Sequence, residues 1–245
     1  MTAENQFCRQ LEVLSKDAEE AIQFFYSWRT VNLVAAGDKR IYRLLNRAPL
    51  FWNTVAGALL SSGFIALGRI FDQNSHHNVD QLLRIVQDNP NIFSLEALAE
   101  RKRKDSENAD EWLTDYLSSA YVPTPDDFRR LKKYVKARRR IYETNYRDIR
   151  HKVFAHNVCQ DHKEVDALFA KSTVRELEKL LTFLTRLHNA LWHLFYNGHK
   201  PTLMPSRYSA KQILRLPSRG SRGGVQQKLI GEIERFLKSL AIEKS

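Results

Sequence analysis

Arg150 and His156 stand in the stretch Arg147-Asp148-Ile149-Arg150-His151-Lys152-Val153-Phe154-Ala155-His156. These residue types suit chemistry at a phosphate. An imidazole titrates near neutral pH and can take or give a proton. A guanidinium can grip phosphate oxygens and hold the charge that develops on them. Arg147, His151 and Lys152 would position a charged backbone beside the pair. This chemistry needs no metal and no cofactor, since the imidazole and the guanidinium supply the proton transfer and the charge.

Spacing alone carries nothing. With eight His and 23 Arg in 245 residues, chance supplies about two cases of an Arg followed by a His with four to six residues between them. The chain has three: Arg69 with His76, Arg186 with His193, and Arg150 with His156. Context separates them. Only the third closes a strongly basic helix, with Asp148, Asn157 and a second imidazole around it.

That helix has the clearest start in the chain. Thr124 serves as cap, Pro125 takes the first position, and Asp126 and Asp127 complement the helix dipole. Phe128, Leu131, Val135, Tyr142, Tyr146, Ile149 and Val153 form its inward stripe. Between 129 and 152 there are eleven Lys and Arg, including Arg138, Arg139 and Arg140, against Glu143 and Asp148. Nine net positives of the chain's eleven therefore fall here. Like charges at i,i+3 and i,i+4 oppose a helix. A solubility device would be spread along the chain, whereas a concentrated one fits a phosphate backbone such as RNA.

Three other long helices are expected to carry this one. The first runs from about residue 4 to 36, with the stripe Phe7, Leu11, Leu14, Ala18, Ile22, Phe25 and Trp28, and Gly37 as its stop. A short basic turn over 38–46 leads to Pro49. The second, 49–73, is apolar nearly all round and is expected to be buried on most sides. Its small residues, Gly57, Ser61, Gly63 and Gly68 among them, let neighbouring helices approach. Arg69 and Asp72 emerge at its end. The fourth starts at Thr173 with a capping box to Glu176, carries a broad Leu stripe, and ends at Gly198.

Residues 74–122 read as an insertion of shorter helices, capped at Asn78 and Ser94. The pair His76-His77 reads as solvated loop, and His188 and His193 as ordinary bundle residues. Residues 200–224 form a basic linker rich in Pro, Ser and Gly, and an amphipathic helix follows over 225–245. The fold class is all-α: an up-and-down four-helix bundle over 1–199 with a helical insertion and a C-terminal helix.

Several classes are excluded or disfavoured. Cys8 and Cys159 make neither a disulfide framework nor a zinc site. The sequence MTAENQF does not read as a signal peptide. The apolar core of the second helix, Val55 to Gly68, is too short to span a membrane. A cytoplasmic location is expected. No phosphate-binding Gly-rich loop and no strand is evident.

Written out, I-R-H-K-V-F-A-H resembles the R-[ND]-x-x-x-x-H signature of the HEPN superfamily, and within it the abortive-infection branch. The earlier L-G-R-I-F-D, with Arg69 and Asp72 ending the second helix, resembles the same branch. The resemblance covers roughly residues 5 to 197. It implies an all-α bundle that homodimerises, with Arg150 and His156 of both subunits meeting at the two-fold interface to cleave RNA without metal. It also implies a toxin or antiviral defence setting, with an antitoxin or defence-system partner. Position 151 is His where the family usually has Asn or Asp, and Val158 stands where some toxins of the superfamily carry a modifiable Tyr.

On a straight α-helix, six residues rise about 9 Å and turn about 240°, so Arg150 and His156 do not share a face. A two-fold axis through the segment would bring both pairs into one cleft, which is a reason for a composite site. Two functions follow from these residues: a metal-independent endoribonuclease, or a non-catalytic helical module that binds nucleic acid or protein. Binding to a membrane surface through the last helix is a third.

Overall fold

The computed structural model describes residues 2–155, 162–203, 210–214 and 225–242. The chain is all-α, and no strand occurs among the described residues. In order, the helices are α1 (Ala3–Gly37), α2 (Lys39–Leu45), α3 (Pro49–Phe71), α4 (Val79–Asp88), α5 (Leu95–Asp105), α6 (Ala109–Ser119) and α7 (Pro125–Asn145). A π-helical segment, Ile149–Ala155, precedes α8 (His162–Ala170), α9 (Val174–Asn197), α10 (Ala210–Ile213) and α11 (Val225–Ile242).

The caps expected at Asn78, Ser94 and Thr173 are in place, whereas the Thr124 hydroxyl donates to the Asp127 carboxylate at 3.0 Å. Asn78 and Ser94 accept from the Gln81 and Ala97 amides at 3.0 and 3.1 Å. Thr173 accepts from the Glu176 amide at 3.1 Å, while its hydroxyl donates to the Glu176 carboxylate at 3.3 Å. Gly198 takes φ +60, where an added Cβ would lie 2.8 Å from Leu98 Cδ2 and 2.9 Å from Ala120 Cβ. Only glycine ends α9 there without strain.

The chain divides into two compact units. The first comprises residues 1–17, 69–145 and 180–206. Its core is an aromatic cluster: Phe7 meets Phe195 at 4.8 Å and Phe93 at 5.4 Å between ring centroids, and Phe93 meets Phe128 at 5.7 Å. Each such buried ring contributes roughly 1.5–3 kcal/mol of hydrophobic stabilisation. Phe71 stacks on Tyr142 at 5.5 Å. His77, expected as solvated loop, is half-buried, and its Nδ1 lies 2.9 Å from Gln10 Nε2. It ties the loop after α3 to α1.

The second unit comprises residues 18–68, 146–179 and 207–245. Here Phe64 lies between two rings, Tyr146 at 5.7 Å and Phe154 at 5.6 Å. Phe154 also meets Phe169 of α8 edge-on at 6.2 Å. The helix α8 was not foreseen; its few apolar residues, Val165, Leu168 and Phe169, make too short a stripe to stand out. The last helix docks within its own chain: Leu237 is buried with Val34 and Ile41, flanked by Ile233, Trp52 and Leu45.

Two expectations are corrected. The helix α3 is not buried on most sides: Phe64, Ala66, Leu67, Ile70 and Phe71 are buried, but Leu50 is 81% exposed and Phe51 59%. By length and composition α3 is long and apolar enough to cross a membrane, a test that the core helix of a bundle also passes, and 39% of that window is buried inside the chain; the expectation of no membrane span is not overturned. The basic helix, expected to continue to Val153, ends at Asn145 and gives way to the π segment. The reason is visible in the packing. Ile149 is buried and Phe154, five residues on, stacks on Phe64. A turn closed by i→i+5 hydrogen bonds brings residues five apart to one side, which an α turn does not.

Candidate functional site

The segment 147–155 is fixed from its first turn. Tyr146 is fully buried, and its hydroxyl donates to the Thr173 carbonyl at 2.9 Å while accepting from the Thr173 amide at 3.3 Å. Burial holds this phenol well above the usual tyrosine range, so it stays protonated and keeps donating. One side chain thus joins the base of the π segment to the start of α9.

Four residues later comes Arg150, half-buried, its amide bonded to the Tyr146 carbonyl at 3.0 Å. Its side chain runs against Gly68 of α3. A Cβ on residue 68 would lie 2.6 Å from Arg150 Cδ and 2.7 Å from Cζ, closer than real Cβ atoms come. Gly68 is therefore the residue that lets the guanidinium occupy this place. In the sequence Gly68 is only one small residue among several. The signal that could have found it is a glycine directly before Arg69 in an otherwise apolar helix.

The Arg150 Nη1 atom also lies 3.2 Å from His151 Nε2. A guanidinium only donates, so the ring nitrogen accepts, and in this contact the imidazole carries its proton on Nδ1. Arg150 is thereby held on two sides, by the α3 backbone surface and by the neighbouring ring. Such restraint is what a phosphate-binding arginine needs if its position is to survive substrate exchange.

Arg147 and Lys152 are exposed on the same segment, and Lys152 pairs with Asp148 at 3.1 Å. Both partners are about half exposed, so this ion pair adds little stability. His156 and Asn157 lie outside the described residues.

The cations on α7 divide into two kinds. Arg139 is drawn in: its guanidinium pairs with Asp80 of α4 and reaches Glu143 at 3.7 Å, leaving 13% of the side chain exposed. Arg138 lies over the Phe183 ring at 5.5 Å. These two brace the helix within its unit. Arg140, by contrast, is exposed, as are Lys133 and Lys136, and Lys132, also exposed, reaches Gln87 at 3.4 Å. A polyanion would meet this second set.

Arg69, at the end of α3, donates from Nε to Asp17 of α1 at 2.6 Å. Asp17 is buried, so the pair ties two helices together across the chain. Asp72 follows just past the helix, half-buried. At the start of α7, Asp127 accepts from the Tyr121 hydroxyl at 2.6 Å and from the Thr124 amide at 2.9 Å, and pairs with Arg130 at 2.9 Å. Burial pushes its carboxyl up. The Tyr121 and Thr124 bonds and the Arg130 charge outweigh that and hold it below the usual carboxylate value. The start of the basic helix is thus as firmly fixed as the segment that follows its end.

Among the described residues no group of three His, Cys, Asp or Glu could hold a metal ion. No curated protein and no solved structure matches the chain. The sequence pattern of the HEPN family AbiU2 matches residues 4–213, a span that takes in Gly68, Arg69 and the whole Arg147–His156 stretch. With most of its length matched, and its glycine-cradled arginine inside the match, the chain belongs to the AbiU2 family of HEPN proteins.

Proposed function

We propose that the protein is a metal-independent endoribonuclease of the toxin or phage-defence type, with a site completed by a second copy of the chain. The observation that carries this reading is Arg150, held against Gly68 and beside His151 at the end of a run of eleven cations. Family membership supports it.

In this reading Arg150 holds the non-bridging oxygens of a phosphodiester and the negative charge that grows on them. One imidazole, His156 of one copy, removes the proton of the adjacent ribose 2′-hydroxyl. The 2′ oxygen attacks phosphorus and the P–O5′ bond breaks. The leaving oxygen takes a proton from a second imidazole, the other copy's His156. The products are a 2′,3′-cyclic phosphate and a free 5′-hydroxyl. Arg147 and Lys152 hold the RNA backbone beside the scissile bond, and exposed Arg140 and the exposed lysines of α7 add phosphate contacts of their own.

A second copy has a surface to meet. Leu50, Thr54, Gly57, Ala58 and Ile65 form one exposed stripe on α3, the helix that carries Gly68. Its small residues permit close approach of another helix, and nothing lies within 4 Å of a Cβ built at Gly57.

Incubation of uniformly labelled RNA with the protein in EDTA tests the proposal. Cutting that leaves cyclic phosphates, and that His156→Ala abolishes while the protein still elutes as a dimer, is the expected result. Undiminished cutting by His156→Ala sinks it. The half-burial of Arg150 favours one other reading, a non-catalytic module in which this arginine only braces α3 and the basic face binds RNA. Salt-steep RNA binding with no product after long incubation selects that reading.

A further inference from the structure

The corner where α2 gives way to α3 is bare apolar surface. No residue from 42 to 62 is buried, although the stretch holds Tyr42, Leu50, Phe51 and Trp52. Leu50 is 81% exposed, and Tyr42 and Phe51 are each 59% exposed. Ala48 and Pro49 are exposed as well, so the successive apolar residues 48–51 form a tip. Single apolar side chains at a surface are ordinary, whereas a contiguous patch marks a surface that meets something.

The backbone of the tip is already satisfied. The Asn46, Arg47 and Ala48 amides donate to the Tyr42, Leu44 and Leu45 carbonyls at 3.1, 3.2 and 3.2 Å. Pro49 has no amide hydrogen to satisfy. The Asn46 carboxamide and the Thr54 hydroxyl also turn inward, donating to the Tyr42 and Leu50 carbonyls at 3.0 and 2.8 Å. A turn whose donors are met within itself can enter an apolar medium at little cost.

Cations stand beside the tip. Lys39, Arg40, Arg43 and Arg47 are exposed on α2 and the turn, and no Asp or Glu occurs from Lys39 to Phe71. The acids that approach α2 come from outside that stretch. Asp38 caps α2 and pairs with Arg40 at 3.1 Å. Helix α11, packed against α2, carries Glu232 and Glu234 against Lys228, Arg235 and Lys238, and Glu234 pairs with Lys238 at 2.6 Å. Seven cations against three acids leave the balance positive.

We propose that this corner seats the protein on an anionic membrane surface: Tyr42, Ala48, Pro49, Leu50 and Phe51 enter the boundary between headgroups and acyl chains, and Lys39, Arg43 and Arg47 meet lipid phosphates. Aromatic rings, and cations on apolar stems, suit that depth. The far end of α3 stays out, because Phe64, Leu67, Ile70 and Phe71 are buried inside the chain. RNA gives no reason for a bare Leu50 and Phe51, since its backbone is met by charge. A second copy of the corner would set cations against cations. The small-residue stripe assigned above to a second copy runs away from the tip, with Gly57 about 9 Å along α3 from Phe51. The assignment stands whether or not Arg150 and His156 cut RNA.

Flotation of the full chain tests it, with vesicles of phosphatidylcholine alone or mixed with an equal part of phosphatidylglycerol. The chain should float with the mixed vesicles at least about tenfold more readily than with phosphatidylcholine, and less so as salt is raised. Tyr42→Ser with Phe51→Ser should weaken flotation at least about tenfold. Arg43→Glu with Arg47→Glu should do the same. All four positions are exposed, and unchanged far-UV circular dichroism confirms folding. Val122→Ser, at an exposed apolar residue of the other unit, should float as the parent does. Phe51→Trp keeps an apolar ring, so it should float normally and its emission should shift to the blue on the mixed vesicles. The proposal is overturned if the chain floats with neither vesicle, if Tyr42→Ser with Phe51→Ser floats as the parent does, or if the Phe51→Trp emission does not shift. Self-association that this same pair abolishes, in a chain that does not float, overturns it in favour of a protein partner.

Discussion

Arg150 lies against Gly68 so closely that no other residue at 68 leaves its guanidinium where it is. The two sit 82 positions apart in sequence, and neither means much alone. Together they set the position of the one arginine that the cleavage reading depends on.

Gly68→Ala is therefore expected to separate activity from stability. Alanine is more favourable than glycine in a helix interior by about 1 kcal/mol. What its methyl meets is a flexible side chain that can swing away. The thermal midpoint should move by only a few degrees, while RNA cleavage falls at least about tenfold through misplacement of the arginine. In an Arg150→Ala background the same substitution should cost no further activity. Full activity of Gly68→Ala would show that the guanidinium works from elsewhere.

Tyr146→Phe removes a hydroxyl that both donates to and accepts from Thr173. Two backbone groups at the start of α9 are then left without that partner, which destabilises by about 1–3 kcal/mol. Urea unfolding should show the lower midpoint with an unchanged slope. Hydrogen exchange should rise first at residues 147–155 and 173–177.

Asp127 sets an acid limit on the start of α7. Its folded-state value is depressed, so its contribution is complete above about pH 4, the ordinary carboxylate value. It is lost as pH falls through the lower folded-state value. The stability difference between the parent and Asp127→Asn should be constant near neutrality and shrink only below about pH 4. A difference that grew on acidification would reverse the assignment.

The α7 cations should respond in two ways. Replacing Lys133 and Lys136 by Ala should leave stability alone and lower the salt slope of RNA binding by about 0.7 for each phosphate no longer neutralised. Arg139→Ala should instead destabilise by about 3 kcal/mol, because Asp80 is left largely buried without its partner. The two effects read out in filter binding and in melting, respectively.

Most of the fold was legible because its signals are local. Asn78, Ser94 and Thr173 each cap through an atom within three residues, and stripe periodicity marks the long helices directly. What was not legible depends on partners far along the chain. The stripe Tyr146, Ile149, Val153 suggests an uninterrupted α-helix, yet Phe154 packs on Phe64, ninety positions earlier. Arg138 and Arg139 resemble the rest of the basic run in sequence, and only Phe183 and Asp80 draw them in. The composition of α3 announces burial, but whether a helix of that composition is covered depends on what stands beside it.

The π turn makes the segment sensitive to residue number as well as residue type. An α-helix of the same sequence, one residue shorter between Ile149 and Ala155, would still place an apolar side chain on Phe64. Every residue beyond the deletion would then stand one position, about 1.5 Å of helix rise, nearer to Arg150. Chains of this family that gain or lose a single residue there should switch between working and silent forms while keeping every named side chain. Alignment gaps, rather than substitutions, are where such a switch would be written.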